Sequence, residues 1–426
     1  MLSLVCVSAV VLPGCSAEHD TTRLEPLPHA TLDEQRLWDE SVADYLDDEL
    51  WRDRDAYDAG SHLMIPLHAA FRLDAPDWRE QFHAHFSRFA KAPASEWADS
   101  QVHRLQYLYL VSRYLVLAEE SGEMAETPVD LARDIESEIV NLWTVRPAWQ
   151  WERDDFDSMS SRLLWKLEAQ DEDPRYLGAL IDEELFVFAI AADLRRLRAL
   201  RGEEPDACLT DIADLSYDAF TNLGVWLDST HWLLQPGVWS DSQSYRYAGH
   251  DSLGLGLEPK PVIGIASDTS HSHRLGRWLL SLEEASSAGR ARAYSRIRSG
   301  VALQFLDAVV VPPSAEFEGL RTTNYMDGHN GVYRYEYGSL AEGEGYGPWG
   351  LSGTFNHGWW AFGGSGIQNL YASQAELFPL DESVLSLYMG PQGTRDRNSA
   401  VRLPESYTNG LIELIISLAA RPEVCS

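Results

Sequence analysis

The stretch Thr31–Leu46, TLDEQRLWDESVADYL, carries the clearest signal of the fold. Thr31 and Glu34 have the spacing of a capping box, in which each side chain accepts a hydrogen bond from the other residue's backbone N–H at a helix start. Apolar side chains follow at helical spacing, namely Trp38, Val42, Tyr45 and Leu46. The stretch therefore predicts a helix with one buried face.

The same helical spacing recurs along most of the chain, and some patterns begin at a proline, as at Pro128 and Pro174. The predicted helices cover approximately residues 62–72, 78–90, 101–119, 128–143, 157–168, 174–200, 208–228, 269–282, 289–307, 349–362, 366–377 and 409–420. Strand patterns are few, at Val309–Val311 and Gly331–Tyr337, and they allow at most a short β-hairpin near residues 309–337.

Helices in this number, joined by loops that lengthen toward the C-terminus, predict an all-α fold with residues 31–426 as a single domain. One possible arrangement is an (α/α)6-type toroid, in which paired helices form concentric rings and long loops at one end shape a cleft. An irregular bundle or a superhelical array is the alternative. The toroid is favoured because helix number, domain length and the recurring aromatic-rich loops all suit it.

The charge of the chain limits its partners. Its 426 residues include 66 acidic and 34 basic residues, which gives a formal charge of −32. This balance argues against a nucleic-acid partner, because phosphate binding requires clustered Lys and Arg. It also counts against a polyanionic ligand unless the binding site is itself locally basic.

Residues 1–17, MLSLVCVSAVVLPGCSA, contain an apolar run that is too short to span a bilayer. The run ends in Leu12-Pro13-Gly14-Cys15, which resembles the lipobox of bacterial lipoproteins. The resemblance implies a signal peptide over residues 1–14, a lipid on Cys15 and a tether over residues 15–30. It also implies export to the cell envelope, where Ser16 would direct the protein to the outer membrane and the lipid alone would contact the bilayer. An ordinary cleaved signal peptide with an incidental cysteine is the alternative.

Two further cysteines, Cys208 and Cys425, could form one disulfide in an oxidising compartment. No pair of cysteines has the C-x-x-C spacing, which argues against a cysteine metal site. We predict neither a metal nor a cofactor for this chain.

The densest group of polar and aromatic side chains lies in Thr323–Trp360, TNYMDGHNGVYRYEYGSLAEGEGYGPWGLSGTFNHGWW. A core segment would be aliphatic and periodic, whereas this one is broken by glycines, as is typical of ligand-binding loops. Its candidate site residues are Asn324, Tyr325, Asp327, His329, Asn330, Tyr333, Arg334, Tyr335, His357, Trp359 and Trp360. The spacing of two residues would place Tyr333 and Tyr335 on one face of a short strand. A β-hairpin with an Asp-Gly turn is the purely structural alternative.

Two earlier segments also combine titratable and aromatic side chains. In residues 53–71, Asp58 and His62 are candidates at a loop-to-helix junction, although Asp58 could cap the helix and His68 could be a core histidine. In residues 239–250, an arginine between two tyrosines fits recognition of a uronic-acid carboxylate through paired hydrogen bonds. The candidates there are Trp239, Asp241, Tyr245, Arg246 and His250, and a solvated loop is the alternative.

The segment Ser267–His273, SDTSHSH, has three interpretations. Asp268, His271 and His273 could supply metal ligands, or Asp268 could cap a helix while the histidines form structural hydrogen bonds. The histidines could also contact a glycan. Helix capping is favoured, and His271 and His273 remain candidates for glycan contact.

Several of the 15 tryptophans lie in loop-like contexts, among them Trp149, Trp151 and Trp239. Indoles stack on the apolar faces of sugar rings while their N–H can still donate a hydrogen bond. With the polar loops, they indicate a carbohydrate-binding cleft and a polysaccharide or oligosaccharide as the partner.

This combination of helices with late loops rich in Tyr, Asn, His and Arg resembles the helical domains of heparinase- and alginate-type polysaccharide lyases. The run Tyr346-Gly-Pro-Trp-Gly-Leu-Ser-Gly-Thr354, followed by Gly358-Trp-Trp360, resembles the late helix of uronyl C5-epimerases, which share that domain. The resemblance implies abstraction of the C5 proton of a uronic acid, which needs a base, an acid and donors that neutralise the enolate. The implied roles are Tyr333 or Tyr335 as proton donor or base, His329 or His271 as base, and Asn324 or Asn330 and Arg334 or Arg246 as carboxylate neutralisers.

Three functions are compatible with the sequence. The first is a lyase or epimerase that acts on a uronic-acid polymer. The second is a glycoside hydrolase of the same fold with an acid pair such as Asp58 and Asp241 or Asp327. The third is a non-catalytic lipoprotein that binds glycan or serves envelope assembly. An unsaturated product that absorbs ultraviolet light would distinguish the lyase from the hydrolase.

Overall fold

The computed structural model describes residues 27–123, 128, 130–151, 153–168, 172–338, 340–391 and 397–425. The predicted signal peptide, Cys15 and most of the predicted tether lie outside the described residues. Helix accounts for 58% and strand for 5% of the structure, which confirms the prediction of a mainly helical chain.

The helices in chain order are α1 Leu32–Asp47, α2 Asp53–His62, α3 Met64–Arg72, α4 Pro76–Phe89, α5 Gln101–Ser121, α6 Leu131–Thr144, α7 Met159–Glu168, α8 Asp182–Leu200, α9 Ala207–Leu223, α10 Thr269–Ser272, α11 Leu275–Glu284, α12 Ala288–Gln304, α13 Ser365–Ala375, α14 Glu382–Met389, α15 Glu405–Thr408, α16 Leu411–Ala419 and α17 Pro422–Cys425. None of the helices within the described ranges is both long and apolar enough to cross a membrane.

Local sequence signals set several helix ends. At α1, Thr31 Oγ1 accepts from the Glu34 N–H at 3.1 Å, and Glu34 Oε2 accepts from the Thr31 N–H at 2.7 Å, which completes the predicted capping box. Helix α4 begins at Pro76. Helix α5 ends at Gly122, whose φ of 77° lies in the left-handed region that glycine adopts most easily.

Helices α5 and α8 lie at the centre of the core and bury side chains on nearly all sides. Helix α5 packs against α2, α3, α6 and α8, and α8 packs in addition against α9 and α11. Near the C-terminus, α16 packs against α13 and also against α1 and α3. The last long helix therefore contacts the first helices of the chain.

Over the described residues, the strands form three two-stranded antiparallel hairpins. Hairpin β5–β6 (Val310–Val311 with Arg321–Thr322) lies where the sequence predicts one. Hairpins β1–β2 (Ala148–Gln150 with Arg153–Phe156) and β3–β4 (Gly224–Trp226 with Trp232–Leu234) are not predicted, because strands of three or four residues are too short to show alternation.

Two predicted elements in the late loop are wrong. No strand covers Gly331–Tyr337, because Arg334 and Glu336 each have a φ of 50°, which interrupts extended backbone. Tyr333 forms an isolated β-bridge, with two 2.8 Å backbone hydrogen bonds to Tyr346. The helix predicted over 349–362 is replaced by two short 3₁₀ helices, Ser352–Asn356 and Trp359–Phe362. Glycines in this stretch lower its helix propensity.

Other differences concern helix ends and short helices. The helix predicted over 174–200 begins only at Asp182, and the one predicted over 208–228 ends at Leu223, where β3 follows. Helices α2, α14, α15 and α17 are not predicted. Cys208 and Cys425 are both free thiols, so the possible disulfide between them is not formed.

A second, smaller cluster of buried side chains joins two long loops, residues 235–267 and 323–351. Its members are Tyr245, Ala248, Ile265, Tyr325, Tyr333 and Leu351. This cluster fixes the position of the late loop beside the start of α10.

Candidate functional site

A cavity of about 500 Å³ lies between the start of α8, the α10–α11 segment and the two long loops. Its polar lining includes Asp182, Glu183, Gln243, Ser244, Tyr245, Asp268, His271, Tyr333 and Arg334. Its aromatic lining consists of Trp151, Tyr176, Trp239, Trp278 and Tyr337, together with the two tyrosines just named. This volume and mixture suit a ligand with both flat apolar faces and polar groups.

Asp268 and His271 form a pair at one wall of the cavity. Asp268 caps the short helix α10 and accepts from the His271 backbone N–H at 3.1 Å. The Nδ1 of His271 lies 2.9 Å from both carboxylate oxygens, so it carries the proton that it donates. In the neutral ring, Nε2 is then the nitrogen that can accept a proton. The side chain is 37% exposed.

Asp268 is fully buried but remains ionised. Tyr245 Oη donates to its Oδ2 at 2.5 Å, and the Ser270 hydroxyl donates to its Oδ1. Burial opposes the charged form, but the His271 imidazole and these hydroxyl donors outweigh burial and hold the pKa of Asp268 well below its ordinary value. The carboxylate can thus orient the imidazole and stabilise its protonated form.

Tyr333 and Arg334 occupy the same wall. Tyr333 is 1% exposed, and burial raises the pKa of its phenol well above the ordinary value, so the group is a proton donor at neutral pH. The guanidinium centre of Arg334 lies 5.2 Å from the ring of Tyr333 and 5.0 Å from that of Tyr337. Burial disfavours its charge, but Tyr333 and Asp268 outweigh burial and raise the pKa of Arg334.

The buried Nε of Arg334 has no hydrogen-bond partner within the described part of the chain. An unpaired buried N–H is costly, so the group is ready to donate to an anionic ligand. Its backbone conformation, with φ of 50°, turns the chain so that Tyr333 and Arg334 both reach the cavity.

Arg274 supports the cavity at Asp182. It donates to the Asp182 carboxylate and to the Tyr57 hydroxyl, and the guanidinium of Arg54 stacks over the Tyr57 ring at 4.0 Å. Burial alone would lower the pKa of Arg274, but the pairing with Asp182 and Tyr57 raises it. Asp182 is therefore neutralised by a fixed cation.

Glu183 is a second acid in the lining. It accepts from the buried guanidinium of Arg162 at 3.1 Å, while Arg162 and Lys166 both contact the neighbouring Glu184 at 2.7 Å. Burial, followed by the charge of Glu184, raises the pKa of Glu183 against the opposing effect of Arg162. Glu183 and Asp268 are thus two carboxyl groups of one cavity whose pKa values are shifted in opposite directions.

Five of the predicted site residues line this cavity together although they come from three separate segments: Trp239, Tyr245, His271, Tyr333 and Arg334. The predicted common face for Tyr333 and Tyr335 is wrong. The Tyr335 hydroxyl donates to the Gly254 carbonyl at 2.8 Å, and its ring packs on Tyr247 at 4.7 Å, outside the cavity lining.

The other polar candidates of the late loop hold the loops together instead of lining the cavity. The Nε2 of His329 donates to the Ala248 carbonyl at 2.6 Å, and Asp327 accepts from the Ala266 N–H at 3.0 Å. Asn324 and Asn330 hydrogen-bond to backbone groups, and the Tyr325 hydroxyl donates to the Val332 carbonyl at 2.9 Å. None of these side chains lines the cavity.

A third group of candidates lies in the buried interior. Asp58 pairs with Arg54 at 3.1 Å and with Arg397 at 3.4 Å, and His62 Nδ1 donates to the Asp58 carbonyl at 2.8 Å. The ring of His357 lies 4.9 Å from that of His62 and 6.0 Å from that of His273. Burial lowers the pKa of all three histidines, which are therefore neutral core groups.

The remaining candidates are either core or surface residues. Trp359 and Trp360 are at most 1% exposed, and Trp359 stacks on Phe305 with ring centroids 3.7 Å apart, so they fill the core. Asp241 and Arg246 are exposed outside the cavity lining, and His250 Nε2 donates to the Glu258 carbonyl at 2.7 Å.

The sequence does not predict several lining residues, namely Tyr176, Asp182, Glu183 and Tyr337, nor the supporting pair Tyr57 and Arg274, whereas Trp151 lines the cavity as one of the loop tryptophans expected in a cleft. Asp182 and Glu183 are in the first turn of α8, where acidic residues usually serve the helix dipole and so give no distinct signal. The sequence predicts Asp268 only as a helix cap or a metal ligand, and in the structure it caps α10.

The two histidines of the 271–273 pair point to different places, His271 to the cavity and His273 to the interior. Over the described ranges, no group of three or more His, Cys, Asp or Glu side chains is arranged to hold a metal ion. Comparison of the chain with protein-family models, with curated proteins and with solved structures gives no match. The chemistry of the cavity therefore has to be inferred from its own side chains.

Proposed function

We propose that this protein is an exported lipoprotein that abstracts the C5 proton of a uronic-acid residue in a polysaccharide, as a lyase or an epimerase. One observation carries the proposal: the Asp268–His271 pair, the protonated Tyr333 and the partly unpaired Arg334 line a single aromatic cavity. A base, an acid and a cation are the three groups that this chemistry needs.

In the proposed step, the Nε2 of His271 removes the C5 proton, and Asp268 stabilises the imidazolium that forms. The electron pair moves into the uronate carboxyl group, where Arg334 neutralises the enolate charge. In a lyase, the C4–O bond then breaks to give a C4–C5 double bond, and Tyr333 protonates the leaving oxygen. In an epimerase, Tyr333 instead returns a proton to C5 from the opposite face.

The net charge of −32 opposes an acidic ligand at long range. The local charge of the cavity is different, because Asp182 is paired with the cation Arg274 and Glu183 with the cation Arg162. Asp268 keeps its charge, which the neutral His271 and two hydroxyl groups stabilise by hydrogen bonds. Arg334 is a cation of the lining, and its buried Nε has no hydrogen-bond partner among the described residues, although the charge of Asp268 stabilises the guanidinium. The local balance therefore favours a carboxylate at Arg334.

We also propose that the helices form an (α/α) toroid. The central helices contact one another in sequence, α3 with α5, α5 with α8 and α8 with α11, while α16 returns to contact α3. Helices α4, α9 and α12 each pack against one of these and α6 packs against two, α5 and α8, as an outer ring would. The predicted lipidation of Cys15, from the run Leu12–Cys15, would place this domain at the outer membrane.

The proposal is tested by incubating the protein with a panel of uronate polymers and measuring new ultraviolet absorbance, with deuterium uptake from heavy water as the readout for epimerisation. We expect Tyr333→Phe to reduce the rate by roughly 10²–10⁴-fold, because it removes the proton donor. Tyr335→Phe is the matched control, since it deletes the same atom two residues away and outside the cavity.

Equal rates for Tyr333→Phe and the wild type would remove Tyr333 from the mechanism. The absence of both double bonds and deuterium uptake with every polymer would reject the proposed reaction.

A glycoside hydrolase is the second candidate, and the carboxyl pair of the cavity favours it. Glu183, with its raised pKa, would be the general acid, and the ionised Asp268 would be the base or nucleophile. This pair replaces the predicted pairs of Asp58 with Asp241 or Asp327, which do not share a cavity. Release of reducing ends without a double bond, abolished by Glu183→Gln, would identify this reaction.

A further inference from the structure

Trp149 is an exposed indole whose ring neighbours Trp151, a residue of the cavity lining. It is 57% exposed, whereas its neighbours Ala148 and Gln150 on β1 are buried. A single exposed apolar side chain is common on protein surfaces and needs no explanation by itself. Trp149 differs from such a side chain in two respects, the hydrogen bonds that fix its backbone and the aromatic rings beside its indole.

The backbone at Trp149 is fixed by buried side chains. The Nη1 of Arg162, a fully buried residue, donates to the Trp149 carbonyl at 2.6 Å. The Nε2 of the neighbouring Gln150, also fully buried, donates to the Leu177 carbonyl at 2.9 Å. An aromatic ring on an anchored strand loses little conformational freedom when a ligand stacks on it.

Trp149 continues a row of aromatic rings that leads into the cavity. Its ring centroid lies 6.2 Å from that of Trp151, which lies 5.7 Å from Trp239. Trp239 is nearly parallel to Tyr245 at 6.0 Å, and Tyr245 donates to Asp268. The row therefore connects the exposed indole to the carboxylate that orients His271.

We propose that Trp149 forms a distal sugar-binding subsite, so that the site takes an acidic oligosaccharide or polymer chain of several units in preference to a disaccharide. This inference rests on the proposed function and deepens it. A sugar at the reacting position would contact Tyr333 and Arg334, and sugars further along the chain would stack on Trp239, Trp151 and finally Trp149.

The test measures binding by calorimetry for disaccharides and hexasaccharides prepared from uronate polymers. We expect Trp149→Ala to weaken hexasaccharide binding by about tenfold, the effect of losing one aromatic stacking contact, and to leave disaccharide binding unchanged. Trp149→Phe should retain most of the affinity. Leu227→Ala, an exposed apolar residue at another hairpin, is the control and should change neither affinity.

Equal losses for both ligand lengths, or no loss for either, would overturn the subsite. If Trp149→Ala changes neither the formation of unsaturated products nor the binding of hexasaccharides, the subsite is rejected and the proposed reaction stands. A length-dependent loss without any double bond or deuterium uptake would support the subsite and reject the proton abstraction. Failure of every saccharide to bind would overturn both.

Discussion

Asn324 is fully buried, and its side chain joins three parts of the late loop. Its Nδ2 donates to the carbonyls of Gly331 and Gly347 at 2.8 Å each, and its Oδ1 accepts from the Leu351 N–H at 3.0 Å. An amide with these bonds has no capacity left for a substrate carboxylate. Asn324 therefore acts on the cavity only by shaping the loop that carries Tyr333 and Arg334.

We expect Asn324→Ala to lower the free energy of unfolding by roughly 3 kcal/mol, because three buried backbone groups lose their partners. Denaturant unfolding measures the change. Asn324→Asp keeps the size but turns the donor toward two carbonyls into an acceptor, so it should destabilise the protein at least as much. Full stability combined with lost activity in both variants would instead give Asn324 the neutralising role that the sequence predicts.

At the scale of elements, the two long loops fit together because glycine allows close approach. A Cβ added at Gly331 would lie 1.6 Å from the Ala248 carbonyl oxygen, which real contacts do not permit. This contact lies beside the His329–Ala248 hydrogen bond, so loop 323–351 is seated on loop 235–267 at this point. This contact between the two loops determines where Tyr333 packs against Tyr245.

We expect Gly331→Ala to separate the two loops, with a loss of stability of about 1–3 kcal/mol and a larger loss of activity. Gly338→Ala is the matched control in the same loop. Gly338 has a φ of 64° and no neighbour within 4 Å of an added Cβ, so only backbone strain of about 1 kcal/mol should result. Thermal unfolding and the uronate assay distinguish the two, and identical behaviour of both variants would contradict the close contact.

The sequence predicts the helices well because their apolar spacing and caps are local, as at Thr31 and Glu34. It also selects three of the segments that meet at the cavity, residues 239–250, 267–273 and 323–360, because their chemistry is unusual. It does not predict which side chains of a segment face the cavity. The left-handed conformation of Arg334 separates Tyr333 from Tyr335, and a non-glycine residue gives no local signal for that conformation.

The tryptophans also show that the sequence does not predict which side chains are exposed. Trp149 and Trp359 both lie in glycine- or proline-bearing stretches of the sequence, yet one is exposed on a hairpin and the other is buried against Phe305. Burial depends on contacts between distant parts of the chain, so composition alone cannot assign these two positions to surface and core.

At the scale of the whole molecule, the interior contains neutral histidines while the surface is strongly acidic. Burial lowers the pKa of five of them: His62, His68, His85, His273 and His357. The unfolded chain binds protons at these imidazoles below about pH 6.5, whereas the folded chain does not. Their contribution to stability is therefore lost as pH falls below about 6.5.

His85 isolates this effect because burial lowers its pKa to about 4. Its ring contacts the Leu46 carbonyl at 2.7 Å and the Tyr107 hydroxyl at 2.8 Å. Between pH 7 and pH 5, protonation of the unfolded state at this one site should cost the folded protein about 2 kcal/mol. We expect His85→Gln to have a lower free energy of unfolding than the wild type at pH 7. Between pH 7 and pH 5, its free energy of unfolding should fall by about 2 kcal/mol less than that of the wild type, as measured by denaturant unfolding at both pH values. An unchanged pH slope would mean that His85 takes up its proton in the folded state, which would contradict the burial of its ring among the core helices.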